Sequence, residues 1–324
     1  MARRPSMDPE LAMFLQGISF PKLSQLTPDA IRTMRKATAS PTDTVEKLAV
    51  RGITHEKLQI SAAGGNSHDI ILSLLRPSTT DSQSRPCIYW IHGGGLHWGD
   101  RLHTIEFPAS VVLECDAVCV SVEYRLAPEH PYPAALEDCY GGIKWISEHA
   151  QDLGIDANRI MVAGVSAGGG LAAATALLCR DRRGPRLCAQ CLSCPMLDDR
   201  NLTRSSHQYV EEVWPREANV SAWKSYLGAH FSNLEISIYA APGRADNLSG
   251  LPTTYLDAGS AEVFRDDVVA YASRLWADGV QAELHVWAGG FHGFEIFAPT
   301  AEISMTSMKA KMDWVKKIFS DTEK

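Results

Sequence analysis

The chain has 324 residues, 45% of them hydrophobic and 21% charged, a composition that suits a globular protein with one large core. Its net charge of −7 argues against nucleic acid or an anionic membrane as the main partner. No window approaches the roughly twenty apolar residues of a membrane span, and Asp8 and Glu10 fall where a secretory or mitochondrial leader avoids acids, so the sequence reads as soluble and cytoplasmic.

Residues 8–36 carry Leu11, Phe14, Leu15 and Ile18, then Ile31 and Met34, at helical spacing around a Phe20-Pro21 break. They predict one or two helices ahead of the core. Two β-rich runs, 57–62 and 69–75, flank Gly64-Gly65-Asn66-Ser67 and predict a hairpin. After a polar connector at 78–85, the runs 87–91 and 117–122 read as buried strands and 134–150 as an amphipathic helix. A short apolar strand at 160–163 leads into an alanine-rich helix through 171–178, and 187–194 reads as another strand. Segment 198–250 is polar, with helical fragments at 206–213 and 222–227, and breaks the rhythm. It resumes with a strand at 253–257, a helix at 268–277, a strand at 282–287 and a closing helix at 301–319.

Alternating strands and helices imply an α/β protein whose mostly parallel sheet has helices on both faces. Residues 51–197 and 251–324 form that body, while 1–50 and 198–250 are candidates for a lid. Ligands on such a sheet bind beyond the carboxyl ends of its strands.

Of eight cysteines, Cys87, Cys115, Cys119, Cys139 and Cys179 lie singly in apolar segments, as small hydrophobes. Cys188, Cys191 and Cys194 read C-x-x-C-x-x-C. On a strand, positions 188 and 194 would face one side and 191 the other, which is wrong for a single ion. No metal is expected there.

One end of the sheet collects the reactive groups. Gly164, Ser166 and Gly168 read G-x-S-x-G between the 160–163 strand and its helix. Passing from strand to helix across one serine forces a sharp turn, and glycines two before and two after remove the side chains that would collide in it. The hydroxyl then stands at a helix N-terminus, where developing negative charge is favoured. His92-Gly93-Gly94-Gly95 follows the 87–91 strand and exposes backbone N–H groups suited to an oxyanion, with the Ala167 N–H beside the serine completing the set. His292 sits in a loop past the last strand and has the chemistry of a general base. Glu262, in the loop after the 253–257 strand, is the candidate acid to orient that ring. Asp257, Asp266 and Asp267 compete with it, the first within the strand and the others opening the next helix. Tyr124-Arg-Leu-Ala-Pro-Glu129 and the prolines after it read as a structural turn near the same rim.

These motifs resemble the hormone-sensitive-lipase family of α/β-hydrolase-fold esterases. The matches are H-G-G-G at 92–95, Y-R-L-A-P-E at 124–129, G-x-S-A-G-G at 164–169, G-x-x-acid-x-x-R-D at 259–266 and H-G-F at 292–294. The resemblance implies a Ser166–Glu262–His292 triad, an oxyanion hole from Gly93, Gly94 and Ala167, and a helical cap from 1–50 and 198–250. It also implies no cofactor and a homodimer paired along the 282–287 strand. One departure is visible: the family usually has aspartate where Glu262 stands, and the extra methylene requires the acid loop to sit further back. The expected activity is hydrolysis of short-chain or hydrophobic small-molecule esters, with Leu96, Trp98, Phe14, Val213, Trp214 and Phe294 lining the pocket. A lactone or natural-product ester is the alternative substrate. A non-hydrolytic receptor or a dehydratase of the same fold is the other class, disfavoured because serine and histidine are both present.

Overall fold

In the computed structural model, which describes residues 4–16, 27–61, 68–78, 84–209, 213–231 and 235–321, three short helices lead the chain: α1 (Pro9–Gln16), α2 (Pro28–Thr38) and α3 (Thr44–Val50). The first two start by one device. Asp8 Oδ1 accepts the N–H groups of Glu10 and Leu11, and Thr27 Oγ1 accepts that of Ala30. Each cap precedes a proline whose φ already suits a first helical turn. The third helix was not foreseen, and the Phe20-Pro21 break and Ile18 lie outside the described residues.

Strands β1 (Ile53–Ser61) and β2 (Asp69–Pro77) pair antiparallel with Ile53 opposite Pro77. The Gly64–Ser67 turn between them lies outside the described residues, as does Ala62. Then follow β3 (Arg85–Ile91), α4 (Glu106–Glu114), β4 (Val118–Glu123), α5 (Ala134–Glu148), β5 (Ile155–Val165), α6 (Ala167–Asp181) and β6 (Ala189–Ser193). Next come α7 (Arg204–Gln208), α8 (Arg216–Leu227), β7 (Thr253–Gly259), α9 (Arg265–Ala277), β8 (Ala282–Trp287), α10 (Phe294–Phe297) and α11 (Glu302–Ser320). Helices α4 and α10 are also absent from the sequence reading. For α4 the reason is visible. Its Pro108 and the Val111-Val112 pair argue against a helix locally, yet the proline falls in the first turn, where a missing N–H costs nothing.

The sheet order is β1-β2-β4-β3-β5-β6-β7-β8; β2 is antiparallel to β1 and β4, and every pairing from β4 to β8 is parallel. Successive residues of β3 serve opposite faces. Cys87, Tyr89 and Ile91 join the cluster under α5, α6 and α9, whereas Ile88 and Trp90 join the one under α4 and α11. All seven residues of β3 are buried, as expected for a strand covered on both sides.

This order contains the feature that locates a site. From β3 the chain moves to β4 on one side and to β5 on the other, so the carboxyl ends of β3 and β5 flank a point where the winding reverses. Such points open a crevice above the sheet. Ile91 and Gly164 are paired in register there, which puts the H-G-G-G and G-x-S-x-G turns side by side.

The cysteine run departs from the strand alternation predicted for it. Only Cys191 lies within β6; Cys188 precedes it and Cys194 follows at φ +36°, so all three pack toward one hydrophobic cluster. All eight cysteines are free. No described helix is long and apolar enough to cross a membrane.

Candidate active site

Ser166 stands between β5 and α6 at φ 57°, ψ −121°, a conformation that costs a non-glycine residue about 1–3 kcal/mol. Its own backbone holds it there: its N–H donates to Ser193 O at 2.8 Å, and its carbonyl accepts from Gly170 at 3.0 Å and Met196 at 2.9 Å. The flanking glycines are required by contact. A Cβ on Gly164 would lie 2.3 Å from Gly168 O, and one on Gly168 would lie 2.1 Å from Ile91 O. Helix α6 is small and buried through Cys179, so its positive N-terminal end is held under the serine.

Ser166 Oγ lies 2.9 Å from His292 Nε2, and His292 Nδ1 lies 2.5 Å from Glu262 Oε2. The other oxygen of Glu262 accepts the Gly259 N–H at 2.8 Å. All three side chains are buried. Phe264 meets the imidazole edge-on at 5.1 Å between centroids, which limits the ring's freedom to turn. Partners 126 and 30 positions apart in sequence thus share one relay, because β5, β7 and β8 run parallel and release their loops on one side.

The three competing acids have other partners. Asp257 pairs with Lys311 at 3.1 Å inside the sheet's other face; Asp266 bonds Arg265 and the Ser205 N–H. Asp267 is buried near Asp198 and Asp266, and burial with those charges pushes its carboxyl up to about 8.

Above the serine, the H-G-G-G turn folds back on itself, with the His97 and Trp98 N–H groups donating to Gly94 O at 3.0 and 3.2 Å. The N–H groups of Gly93 and Gly94 take no part in the backbone bonds of the described turns and loops. Ala167 is the first residue of α6, whose N–H has no intrahelical partner. A Cβ on Gly94, at φ +112°, would lie 2.1 Å from Trp98 O. The turn is anchored by Tyr124, whose hydroxyl donates to His92 O at 2.9 Å while its ring stacks on the imidazole. That gives the Tyr124–Glu129 stretch its structural role.

A cavity of about 190 Å³ opens over Ser166 and His292. Of the six lining residues expected from sequence, Trp98, Val213 and Trp214 border it. The other three do not. Leu96 is buried in the core, and its carbonyl accepts the Ala127 N–H; Phe14 is exposed on α1, where Leu11 takes the inward position; Phe294 packs against Gly290 beneath the histidine loop. Met34 and Thr38, one turn apart on α2, line the cavity instead, with Ile296 and Phe297 from α10. Met34 had a legible signal, its place on an amphipathic helix, but nothing local aimed it at a pocket. A neighbouring cavity of about 170 Å³ shares Thr104, Val165 and Ile296 with the first.

The helical fragment expected at 206–213 is shorter. Helix α7 stops at Gln208, and Tyr209 turns extended (φ −117°, ψ 94°) with its hydroxyl donating to Ser260 O. This frees Val213 and Trp214 to drop into the cavity before Pro215 starts α8.

Cys194, Glu262 and His292 offer ligand atoms within 4.8 Å of one another, the one such group among the described residues. Both imidazole nitrogens already have protein partners, Ser166 and Glu262.

Comparison with known proteins gives concordant results. Residues 88–296 match a family described as alpha/beta hydrolase fold. A protein named esterase LipI, from Mycobacterium tuberculosis, is 34% identical over 304 residues, covering 91% of this chain and 90% of that one. Carboxylesterase NlhH of the same organism is 31% identical, with 91% of each chain covered. Among solved structures, one titled bacterial heroin esterase superposes with a TM-score of 0.90 at 36% identity, covering 97% of this chain and 98% of that one.

Proposed function

Because this chain belongs to the alpha/beta hydrolase fold family, matched along residues 88–296, we propose that Ser166, His292 and Glu262 are its catalytic triad and Gly93, Gly94 and Ala167 its oxyanion hole. The protein is an enzyme that hydrolyses carboxylic esters; proteins named esterase or carboxylesterase resemble it at 31% to 36% identity along at least 91% of its length. One observation carries the residue assignment: a continuous Oγ–Nε2–Nδ1–Oε2 path with steps of 2.9 and 2.5 Å.

The roles follow from that path. His292 Nε2 accepts the Ser166 proton as Oγ attacks the ester carbonyl carbon, and the carbonyl oxygen takes the negative charge. Backbone N–H groups aimed at that oxygen stabilise it more than they stabilise the neutral carbonyl, which is what lowers the barrier. Protonated His292 then hands its proton to the departing alcohol, leaving Ser166 acylated. Water repeats the sequence, deprotonated by the same nitrogen, and releases the acid. Glu262 holds the ring's tautomer and stabilises the imidazolium.

The same reading assigns the chain to the hormone-sensitive-lipase group, with segments 1–50 and 198–250 as a cap. Met34, Thr38, Val213 and Trp214, which line the cavity, come from those two segments. The substrate class is a small ester with a short or hydrophobic acyl group, since Met34, Trp98, Val213, Trp214, Ile296 and Phe297 give the cavity an apolar wall. Pairing of two chains along β8, an open edge of the sheet, belongs to this proposal as well. The test is Ser166→Ala with a chromogenic short-chain ester. Turnover should fall by about a thousandfold or more; a variant keeping a tenth of the activity would overturn the assignment.

A further inference from the structure

We propose that Arg35 is a positioning residue that ties α2, the helix bearing two pocket residues, to the oxyanion turn, so that seating this helix and aiming the Gly93 and Gly94 N–H groups are one structural event. The inference rests on the oxyanion role proposed above for those glycines.

Arg35 uses its whole fork. Nε donates to His97 O at 2.7 Å, Nη2 to Ala127 O at 3.0 Å, and Nη1 and Nη2 to the Glu129 carboxylate at 2.9 and 2.7 Å. The two carbonyls are not arbitrary acceptors. His97 closes the glycine turn through its N–H bond to Gly94 O, and Ala127 donates its own N–H to Leu96 O at 2.9 Å. The guanidinium therefore bridges two stretches, 94–98 and 127–129, that are already bonded to each other. On the same helix, Met34 and Thr38 border the cavity over Ser166. A second tether, Ser40 to Asp100 through N–H and hydroxyl bonds of 2.8 and 2.7 Å, follows the helix end.

Arginine is the side chain this geometry needs. Its donors are planar and fixed in direction, so one head group reaches two carbonyls and a carboxylate at once; a lysine ammonium lacks that preset spread. The Glu129 arm contributes least, because its carboxylate is 53% exposed and the pair is screened by water. The carbonyl arms are half-buried and point at the turn. An anchor serving only stability would change the melting point and leave catalysis by the folded enzyme intact. A positioning residue must move the chemistry as well.

The experiment compares the full chain with Arg35→Ala, Arg35→Lys and Glu129→Gln, each verified as folded by near-ultraviolet circular dichroism. Readouts are kcat and KM for a short-chain chromogenic ester and Ki for a trifluoromethyl ketone, which binds as the oxyanion adduct. Deleting a whole oxyanion donor costs about 10²- to 10³-fold in kcat elsewhere, so misaiming two should cost Arg35→Ala about tenfold or more. Its Ki should rise in proportion to the fall in kcat/KM. Arg35→Lys should recover part of the loss, and Glu129→Gln should stay within about threefold of wild type. Folded Arg35→Ala with kcat and Ki within about twofold of wild type would overturn the inference, as would equal losses in Arg35→Ala and Glu129→Gln. If Arg35→Ala does not fold, Arg35→Lys decides on the same two readouts: unchanged values overturn the inference, parallel losses support it. Ser166→Ala run alongside separates the failures. Activity surviving there sinks the triad itself, whereas a dead Ser166→Ala beside an unaffected Arg35→Ala sinks only the role of Arg35.

Discussion

Glu262 divides its carboxylate between two tasks: Oε2 meets His292 Nδ1 at 2.5 Å, while Oε1 accepts the Gly259 N–H at 2.8 Å and pins the loop that carries it. An aspartate on the same backbone is one methylene shorter and could not reach both partners without moving the loop.

The first prediction comes from that division. In Glu262→Gln the amide oxygen can still accept from Gly259, but its NH₂ faces Nδ1 and selects the tautomer that donates toward Ser166. Loss in kcat should be about 10²- to 10⁴-fold with KM changed only a few-fold. Glu262→Asp should fall between, and Asp266→Asn, whose carboxylate serves Arg265 and Ser205, should be mild. Steady-state kinetics of the three variants checks this; a severe Asp266→Asn with a mild Glu262→Gln would move the acid.

Acid sensitivity should be centred on His92 and His97 of the glycine turn. Burial holds His92 down to about 3 and His97 down to about 4, so both are neutral in the folded protein. Unfolded, they take up protons near pH 6.5. Between about 6.5 and 4 the unfolded chain thus binds more protons, and stability falls as pH falls through that window. Two buried acids pull the other way, Asp267 raised to about 8 and Asp257 raised by burial. Comparing wild type with His97→Gln cancels them. From pH 7 to pH 5 the wild type should lose about 2 kcal/mol more than the variant in urea unfolding. Equal losses would contradict the assignment of His97 as a buried neutral base.

Lys311 is the counter-ion of a site away from the triad. Its ammonium lies 3.1 Å from Asp257, 3.2 Å from Glu295 and 5.5 Å from the Phe107 ring, all in the interior. Lys311→Met leaves two buried carboxylates without a counter-charge and should destabilise the fold by about 3–5 kcal/mol. Adding Glu295→Gln should restore part of it. Denaturant midpoints report both steps, and a neutral Lys311→Met would mean that the carboxylates are protonated or solvated.

Trp214 forms part of the cavity wall. It packs edge-on against Trp98 at 5.9 Å and near His292 at 6.3 Å, and a Cβ on Gly95 would lie 2.4 Å from its Cη2. Trp214→Ala should shift the kcat/KM ratio of a bulky acyl ester over the acetate upward by about tenfold or more. An unchanged ratio would remove Trp214 from the substrate site.

The sheet and the serine turn were legible because both rest on local signals. Glycines at 164 and 168 are demanded by backbone contacts under 2.5 Å, so the elbow leaves its mark within five residues. The pocket wall was legible only in part. Phe14 and Leu96 look like lining residues by their character, yet α1 turns Leu11 inward and leaves Phe14 exposed, and Leu96 is claimed by the core. Which face a short helix presents depends on partners far along the chain, as Arg35 with His97 and Glu129 illustrates. Helix α4 escaped for the opposite reason: its proline and valines argue against a helix locally, and packing on β2, β3 and β4 overrides them.

The most direct measurement is the mass of the enzyme caught during turnover. On rapid quenching with excess chromogenic ester, the intact protein should gain the mass of one acyl group, and peptide mapping should locate it on Ser166, with no adduct in Ser166→Ala. Turnover with no acylated protein, or an acyl group on another residue, would contradict the account.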